Sequence, residues 1–196
     1  MATISIDQVK ELRDLTGVSI MLCRKALEEA GGDKEKALII LRKKGADAAV
    51  KKADRTFGAG TIASYIHGGR VGVLLELASE TDFVSGNKEF QTLAYEVAMH
   101  IAALNPEFVR KEDISADARK LVEDTFAKDV EGKPEAMKAK ILEGKVNAYF
   151  ADKILMEQAF IKNSELTIAN LIQNAVQKFG EKIEVTRFVR YSVLSK

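Results

Sequence analysis

Cysteine is nearly absent from this chain, which has 196 residues and a single cysteine, Cys23. One cysteine cannot form an intrachain disulfide, and it cannot supply a cysteine cluster for zinc. Such low use of cysteine is typical of proteins in a reducing cytoplasm. Cys23 falls on the apolar stripe of a predicted helix, where a buried thiol behaves as a small hydrophobic group.

An excess of charge of one sign is also missing, since 30 Lys and Arg residues balance 29 Asp and Glu residues. This balance argues against a protein held mainly by nucleic-acid phosphates. No apolar run is long enough to cross a bilayer. The N-terminal residues lack the charged-then-apolar pattern of a signal peptide. We therefore expect a cytoplasmic protein with no direct nucleic-acid partner and no membrane partner.

Sequence motifs of catalysis are missing as well. The chain has neither GxxxxGK[ST] nor GxGxxG. His67 lies beside a predicted turn, where we expect it to be solvated, and His100 lies on an amphipathic helix, where we expect it to pack. No base is identified that could activate Cys23 as a nucleophile. We expect no catalytic residue and no metal ligand, which makes a binding protein the leading class.

Three short helices are predicted at the N-terminus. Ser5 and Gln8 have the spacing of a capping box. Ser19 can cap the second helix, whose apolar residues recur at helical spacing. Gly31-Gly32 ends it, Asp33 begins the third helix, and Gly45 is expected at the end of that helix. We predict a three-helix domain over residues 1–52 and a linker over residues 53–60.

Strand and helix patterns follow over residues 61–196, the predicted core domain. "TIASYI" and "VGVLLELAS" flank Gly68-Gly69, which can supply the positive φ angles of a two-residue hairpin turn. The closing "KIEVTRFVRYSV" alternates and predicts a third strand with one apolar face formed by Ile183, Val185, Val189, Tyr191 and Val193. The predicted fold is α+β: a small N-terminal three-helix domain, which resembles UBA-like domains, then a core whose three-stranded antiparallel sheet is covered by helices on one face.

The stretch "SETDFVSGNKEF" places Asp82 and Phe83 at a corner between a strand and a helix. An aromatic side chain is expected in a core, and a carboxylate in water. Ile20 and Met21 raise a similar question at the start of the second helix. Phe83 and Met21 can pack inside the protein or serve a partner, and the residues alone leave both interpretations open, because scattered exposed hydrophobic residues are common.

Several segments together resemble the elongation factor Ts family. "VKELRDLTGVSIMLCRKALEEAGGDKEKALIILRKKG" is similar to the N-terminal domain of the family, and "ETDFV" with the following Asn and Phe is its most recognisable motif. "EGKPE", "EQAFIKN" and "RFVRY" also fit. Each motif is weak alone, but their presence together and in order is highly specific.

The chain departs from the family pattern at three places. Leu22 stands where an aspartate is usual, so the cap of the second helix depends on Ser19 alone. Ser85-Gly86 replaces the usual pair after TDFV, and Ala159 replaces a common proline. None of these changes removes a contact residue, so we expect them to affect local stability rather than function.

The resemblance implies a guanine-nucleotide exchange factor for elongation factor Tu that performs no covalent chemistry. In this family the TDF corner faces the nucleotide-binding domain of the partner, which implies GTPase contact and Mg²⁺ dislocation by Thr81, Asp82, Phe83 and Val84. The N-terminal domain would contact another face of that domain through Arg13, Ile20, Met21 and Arg24. GDP, GTP and Mg²⁺ would belong to the partner, and this chain would hold no cofactor.

A homodimer is also implied, because longer members of the family carry the α/β unit twice and this chain carries it once. The free edges of a three-stranded sheet, which a second copy could cover, favour the same interpretation. One alternative function is a UBA-like interaction module at the ribosome without exchange activity, which the α+β core with TDFV disfavours. A second is a hydrolase with an unrecognised site, which the missing nucleophile and base disfavour.

Overall fold

The computed structural model describes residues 4–194, except Glu131 and Lys133. The outer ends of the predicted domains and part of the "EGKPE" motif therefore lie outside the described residues. The helices are α1 Ile6–Thr16, α2 Ile20–Glu29, α3 Lys34–Lys51, α4 Asp82–Ser85, α5 Lys88–Leu104, α6 Ala116–Ala127, α7 Glu135–Ala151 and α8 Ile168–Phe179. The strands are β1 Ala59–His67, β2 Val71–Ser79, β3 Ala159–Phe160, β4 Asn163–Thr167 and β5 Glu184–Ser192.

The N-terminal helices begin where the sequence predicts. Ser5 and Gln8 form the capping box of α1, and Ser19 and Asp33 accept backbone N–H groups at the starts of α2 and α3. α1, α2 and α3 surround a small core of their own, in which Leu12, Leu27 and Leu41 are fully buried. The capping predictions are therefore confirmed.

α3 is longer than predicted and has two partners. Gly45 lies inside α3 rather than at its end, and it is buried against α8. A Cβ at Gly45 would stand 2.7 Å from Nε2 of Gln177 and 3.2 Å from Cβ of Gln173, so this glycine permits the close approach of the two helices. Ala48 and Ala49 pack against the core further along. The division of the chain at residue 52 stays a prediction.

The predicted three-stranded sheet is confirmed, with antiparallel strands in the order β1-β2-β5. Gly68 and Gly69 have positive φ at the centre of the hairpin turn, which the N–H of Arg70 closes onto the carbonyl of His67. On the inner face of β2, Val73, Leu75 and Leu77 are buried in one core that α5 and α8 also line. The helices thus cover one face of the sheet.

The predicted single apolar face of β5 is wrong. The pairing of β5 with β2 shifts between Glu76 and Leu77, which pair with Arg187 and Val185 and leave one extra residue on β5. One inserted residue reverses the alternation beyond it. Val185 is therefore buried, whereas Val189 and Tyr191 are exposed on the outer face of the sheet, and Val193, just beyond the end of β5, is exposed as well.

Two further parts lie beside this sheet. α6 and α7 pack together around a separate cluster that includes Val122, Val146 and Phe150. β3 and β4 form a second, two-stranded antiparallel sheet, which we did not predict from the sequence. Thr167, at the end of β4, caps α8 as part of a capping box with Asn170.

Candidate functional site

Residues 81–84 form a corner, called the TDFV corner below, between β2 and α5. The short helix α4 begins inside it, at a place where the sequence predicts only a turn. Phe83 projects from α4 with 85% of its surface exposed. Asp82 is exposed beside it, and its carboxylate has no hydrogen-bond or ion-pair partner among the described residues. The corner presents an aromatic ring and a carboxylate to solvent.

Val84 lies on the opposite side of the same short helix. Its side chain is only 3% exposed and belongs to the core that β2 and α5 share. Successive residues of a helix point in directions about 100° apart, which allows Val84 to face the core while Phe83 faces solvent. In the structure the side chain of Val84 anchors the corner to the core, and its contact with a partner stays a prediction.

Glu181 lies in the turn between α8 and β5, and its carboxylate binds the chain at the start of the TDFV corner. One oxygen of its carboxylate accepts the backbone N–H groups of Glu80 and Thr81, each at 3.1 Å. The other oxygen accepts the hydroxyl of Thr81 at 2.6 Å. Hydrogen bonds to a carboxylate are stronger than those between neutral groups. Three such bonds fix the backbone immediately before Asp82 and Phe83.

Glu80 in turn binds the backbone of the residue that follows Glu181. Its carboxylate accepts the backbone N–H of Lys182 at 2.5 Å and pairs with Arg55 at 3.1 Å. These contacts, above all the hydrogen bond from Lys182, hold the pKa of Glu80 below its ordinary value. We call the two carboxylates with their partners the Glu80–Glu181 clasp. It joins the end of β2 to the start of β5.

The same turn also holds the segment after α3. The ammonium group of Lys182 donates to the carbonyls of Ala53 and Arg55, at 2.6 and 3.0 Å, and lies 4.5 Å from the centre of the Phe57 ring. Residues 53–55 belong to the predicted linker. This part of the linker is therefore fixed against the core.

The predicted N-terminal contact residues line a groove of about 350 Å³ beside the start of α2. Arg13, Ile20 and Arg24 are in its wall, and Met21 is exposed next to them. Arg24 also pairs with Glu28 at 3.1 Å. The structure adds Ile6 and Lys10 to the groove, which we did not single out from the sequence. The groove combines apolar side chains with three basic groups.

The other residues considered for chemistry lie where we expected them: Cys23 and His100 are buried, and His67 is exposed. Cys23 is fully buried, and burial raises the pKa of its thiol. His67 is exposed, with Nδ1 3.0 Å from the hydroxyl of Tyr65. His100 is fully buried and bonded through both ring nitrogens, to Gln158 and to the N–H of Ile161. Burial lowers the pKa of His100.

The described residues contain no group of three or more His, Cys, Asp or Glu side chains that could hold a metal ion. Within the same part of the chain, no helix is both long enough and apolar enough to span a membrane.

Sequence patterns could have revealed some of the residues that we missed. Ile6, Lys10 and Arg13 follow one another at spacings of four and three, which places them on one face of α1. Glu181 had no such signal, because it lies 100 residues from Thr81 and no local pattern connects them. The exposed aromatic corner and the apolar, basic groove are features typical of a protein that binds another protein.

Comparison with known proteins agrees with this class. The family model described as Elongation factor TS matches residues 34–195. Elongation factor Ts of Desulforamulus reducens is 48% identical over 196 residues, which cover 98% of this chain and 90% of the relative. Elongation factor Ts of Thermotoga petrophila is 47% identical over 97% of this chain and 96% of its own length. That of Thermosipho melanesiensis is 46% identical, with coverage of 97% and 98%.

These matches span nearly the whole chain. The chain therefore belongs to the elongation factor Ts family, whose members act in the elongation stage of protein biosynthesis. The family resemblance inferred from the sequence motifs is confirmed.

Proposed function

We propose that the protein is a guanine-nucleotide exchange factor that binds elongation factor Tu in its GDP form and promotes release of GDP. The observation that carries this proposal is Phe83, which is 85% exposed on a corner with a fixed backbone. Leaving an aromatic ring in water forgoes the stabilisation that its burial would supply. A partner pocket that takes up the ring recovers that free energy on binding.

In the proposed complex, Phe83 enters an apolar pocket between helices of the partner near its magnesium site. Asp82 makes a polar contact beside it, and Thr81 and Val84 hold the corner in place. Insertion of the ring displaces partner helices, which disturbs the contacts of Mg²⁺ and the phosphates. The nucleotide then binds less tightly while the factor is bound.

Thermodynamic linkage requires that this effect be mutual. If the factor weakens GDP binding by a given ratio, GDP weakens binding of the factor by the same ratio. The complex of all three components can therefore lose either ligand. A small amount of factor accelerates exchange on many partner molecules, and no covalent bond is made or broken.

The N-terminal groove supplies a second contact in this proposal. Arg13, Ile20, Met21 and Arg24 would contact another face of the same GTPase domain, and the α+β core would hold the distal β-domain. The apolar and basic lining of the groove suits a partner surface that combines hydrophobic and acidic side chains. In this proposal GDP, GTP and Mg²⁺ are ligands of the partner, and exchange takes place in the cytoplasm without contact to nucleic acid or membrane.

The test is release of fluorescent GDP from elongation factor Tu. Catalytic amounts of this protein should accelerate release, and excess unlabelled GDP should dissociate the two proteins. An unchanged GDP off-rate at saturating protein would refute the proposal. Binding to elongation factor Tu or to ribosomes with no acceleration would instead support the alternative of an interaction module without exchange activity.

We further propose that two copies associate through the outer face of the three-stranded sheet. This face exposes apolar side chains on all three strands: Ile62, Ile66, Leu74, Val189 and Tyr191. Leu74 and Val189 are direct cross-strand neighbours, and with Ile62 they line a groove of about 250 Å³. A twofold arrangement would bury both copies of this face at once.

A further inference from the structure

We infer that Glu181 is a positioning residue for exchange: it does not touch the partner but fixes the direction in which Phe83 points. This inference rests on the proposed function of the TDFV corner. Its basis is the three hydrogen bonds that the Glu181 carboxylate accepts from Glu80 and Thr81.

These hydrogen bonds lie just beyond the end of the β1–β2 ladder, where no neighbouring strand in the described part of the chain holds the backbone. The ladder between β1 and β2 ends at the pair Ala59 and Ser79. The N–H groups of Glu80 and Thr81 lie beyond this ladder, and both donate to Glu181 instead. Without that acceptor these two N–H groups would lose their only partner among the described residues. The backbone leading into α4 would keep only the hydrogen bond from the Ser79 hydroxyl to the carbonyl of Thr81 and the contacts of the Glu80 side chain.

Helix α4 cannot supply the missing rigidity by itself. It has four residues, and the side chain of Thr81 at its N-cap accepts no capping bond, whereas its hydroxyl donates to Glu181. Isolated short helices are unstable, since nucleation is costly. On the far side of the corner, Val84 in the core and the cap at Asn87 hold the chain. Glu181 provides the corresponding support on the near side.

The clasp also links the corner to the segment after α3. Lys182 donates its N–H to Glu80 and its ammonium group to Ala53 and Arg55, while Arg55 pairs with Glu80. The turn at residues 181–182 therefore fixes two things at once: the TDFV corner and the segment after α3, the helix against which α1 and α2 with their contact surface pack. A partner that binds both the TDFV corner and the N-terminal contact surface requires a constant distance between these two surfaces.

The experiment compares Glu181→Ala, which removes every acceptor, with Glu181→Gln, which can keep one oxygen for the two N–H groups. Glu143→Ala is the matched control, because Glu143 is an exposed glutamate on α7. In the free proteins, hydrogen exchange at the amides of Glu80 and Thr81 should become at least about tenfold faster in Glu181→Ala. Glu181→Gln should fall between wild type and Glu181→Ala, and Glu143→Ala should match the wild type.

GDP release then separates positioning from general stability. Glu181→Ala should reduce the acceleration at least about fivefold in the wild-type background and not at all in a Phe83→Ala background, because both changes act through one ring. Glu181→Gln should recover a substantial part of the loss. An equal loss in both backgrounds, or amides whose exchange does not change, would overturn the inference.

The outcome also distinguishes this inference from the proposed function. If the wild-type protein leaves GDP release unchanged, the proposed function fails and the positioning role fails with it. If the wild type accelerates release and Glu181→Ala accelerates it equally well, the function stands and only the role of Glu181 is refuted. If Glu181→Ala does not fold, the comparison of Glu181→Gln with wild type decides by the same two measurements.

Discussion

Phe83 contributes little to the folded monomer, because its ring remains in water. Phe90, seven positions later on α5, has the same side chain fully buried in the core. The two phenylalanines differ only in orientation: the ring of Phe90 points into the core, and the ring of Phe83 points away from it. The two residues therefore form a natural pair for separating a role in binding from a role in folding.

We predict that Phe83→Ala changes the free energy of unfolding by no more than about 0.5 kcal/mol, as is usual for exposed positions. Binding to elongation factor Tu should weaken by about 2 kcal/mol or more, as for other aromatic anchors, which is at least about tenfold in Kd. Denaturant melts and GDP release on the same sample measure both quantities.

Phe90→Ala is the control for this prediction and should cost about 3–5 kcal/mol of stability. Asp82→Ala should act like Phe83→Ala but more weakly, and the double variant should be less than additive, since the two side chains serve one surface. If Phe83→Ala unfolds as easily as Phe90→Ala while its exchange per folded molecule is normal, Phe83 is a core residue.

At the scale of the elements, His100 connects α5 to the segment before β3. The N–H of Ile161 donates to Nδ1 at 3.3 Å, so the ring proton sits on Nε2, which donates to Gln158 at 2.9 Å. Gln158 in turn donates to the carbonyl of Asp152 at 2.6 Å. Protonation of Nδ1 would remove the acceptor for Ile161, so this connection requires neutral histidine.

The pH dependence follows from the lowered pKa of His100, which is caused mainly by burial. The unfolded chain takes up a proton near the ordinary value of about 6.5, whereas the folded chain does so only at lower pH. The stability contribution is therefore complete above about pH 6.5 and decreases as the pH falls toward the folded pKa, by at most about 1.4 kcal/mol per pH unit. Urea melts at pH values between the folded pKa of His100 and about 6.5 measure the free energy of unfolding. It should fall with decreasing pH in the wild type by this additional amount compared with His100→Gln. Equal slopes in the two proteins would contradict the assignment.

At the scale of the whole molecule, the helices cover one face of the sheet and leave the other in water. The outer face is unusually apolar for a solvated surface, with exposed Ile, Leu, Val and Tyr side chains on neighbouring strands. Its centre is Leu74, on the middle strand. The proposed dimer would cover this face.

We predict that the protein sediments as a dimer at roughly 50 µM, above a micromolar Kd. Leu74→Glu should raise the Kd for self-association at least about tenfold, because it places a charge at the centre of a buried interface. Leu121→Glu is the control, since Leu121 is exposed on α6 and outside the sheet. A monomer with full exchange activity at this concentration would contradict the prediction.

Element positions were largely predictable from the sequence, because their signals are short-range. The capping boxes at Ser5 and Thr167 and the glycine turn at residues 68–69 involve residues within four positions of each other. The family was predictable for a similar reason, since its motifs are contiguous stretches. In the same way, the sequence singled out Asp82 and Phe83 as residues at a corner between a strand and a helix.

Only the tertiary structure decided which side chains this corner presents and what holds it. Phe83 faces solvent and Val84 faces the core because α4 packs against β1 and β2, which no local pattern specifies. The exposed face of β5 depends on one extra residue in its pairing with β2. Glu181 reaches Thr81 across 100 residues of sequence, since folding brings the ends of β2 and α8 together. Contacts of this kind depend on packing between distant segments, and a single sequence carries no periodic signal for them.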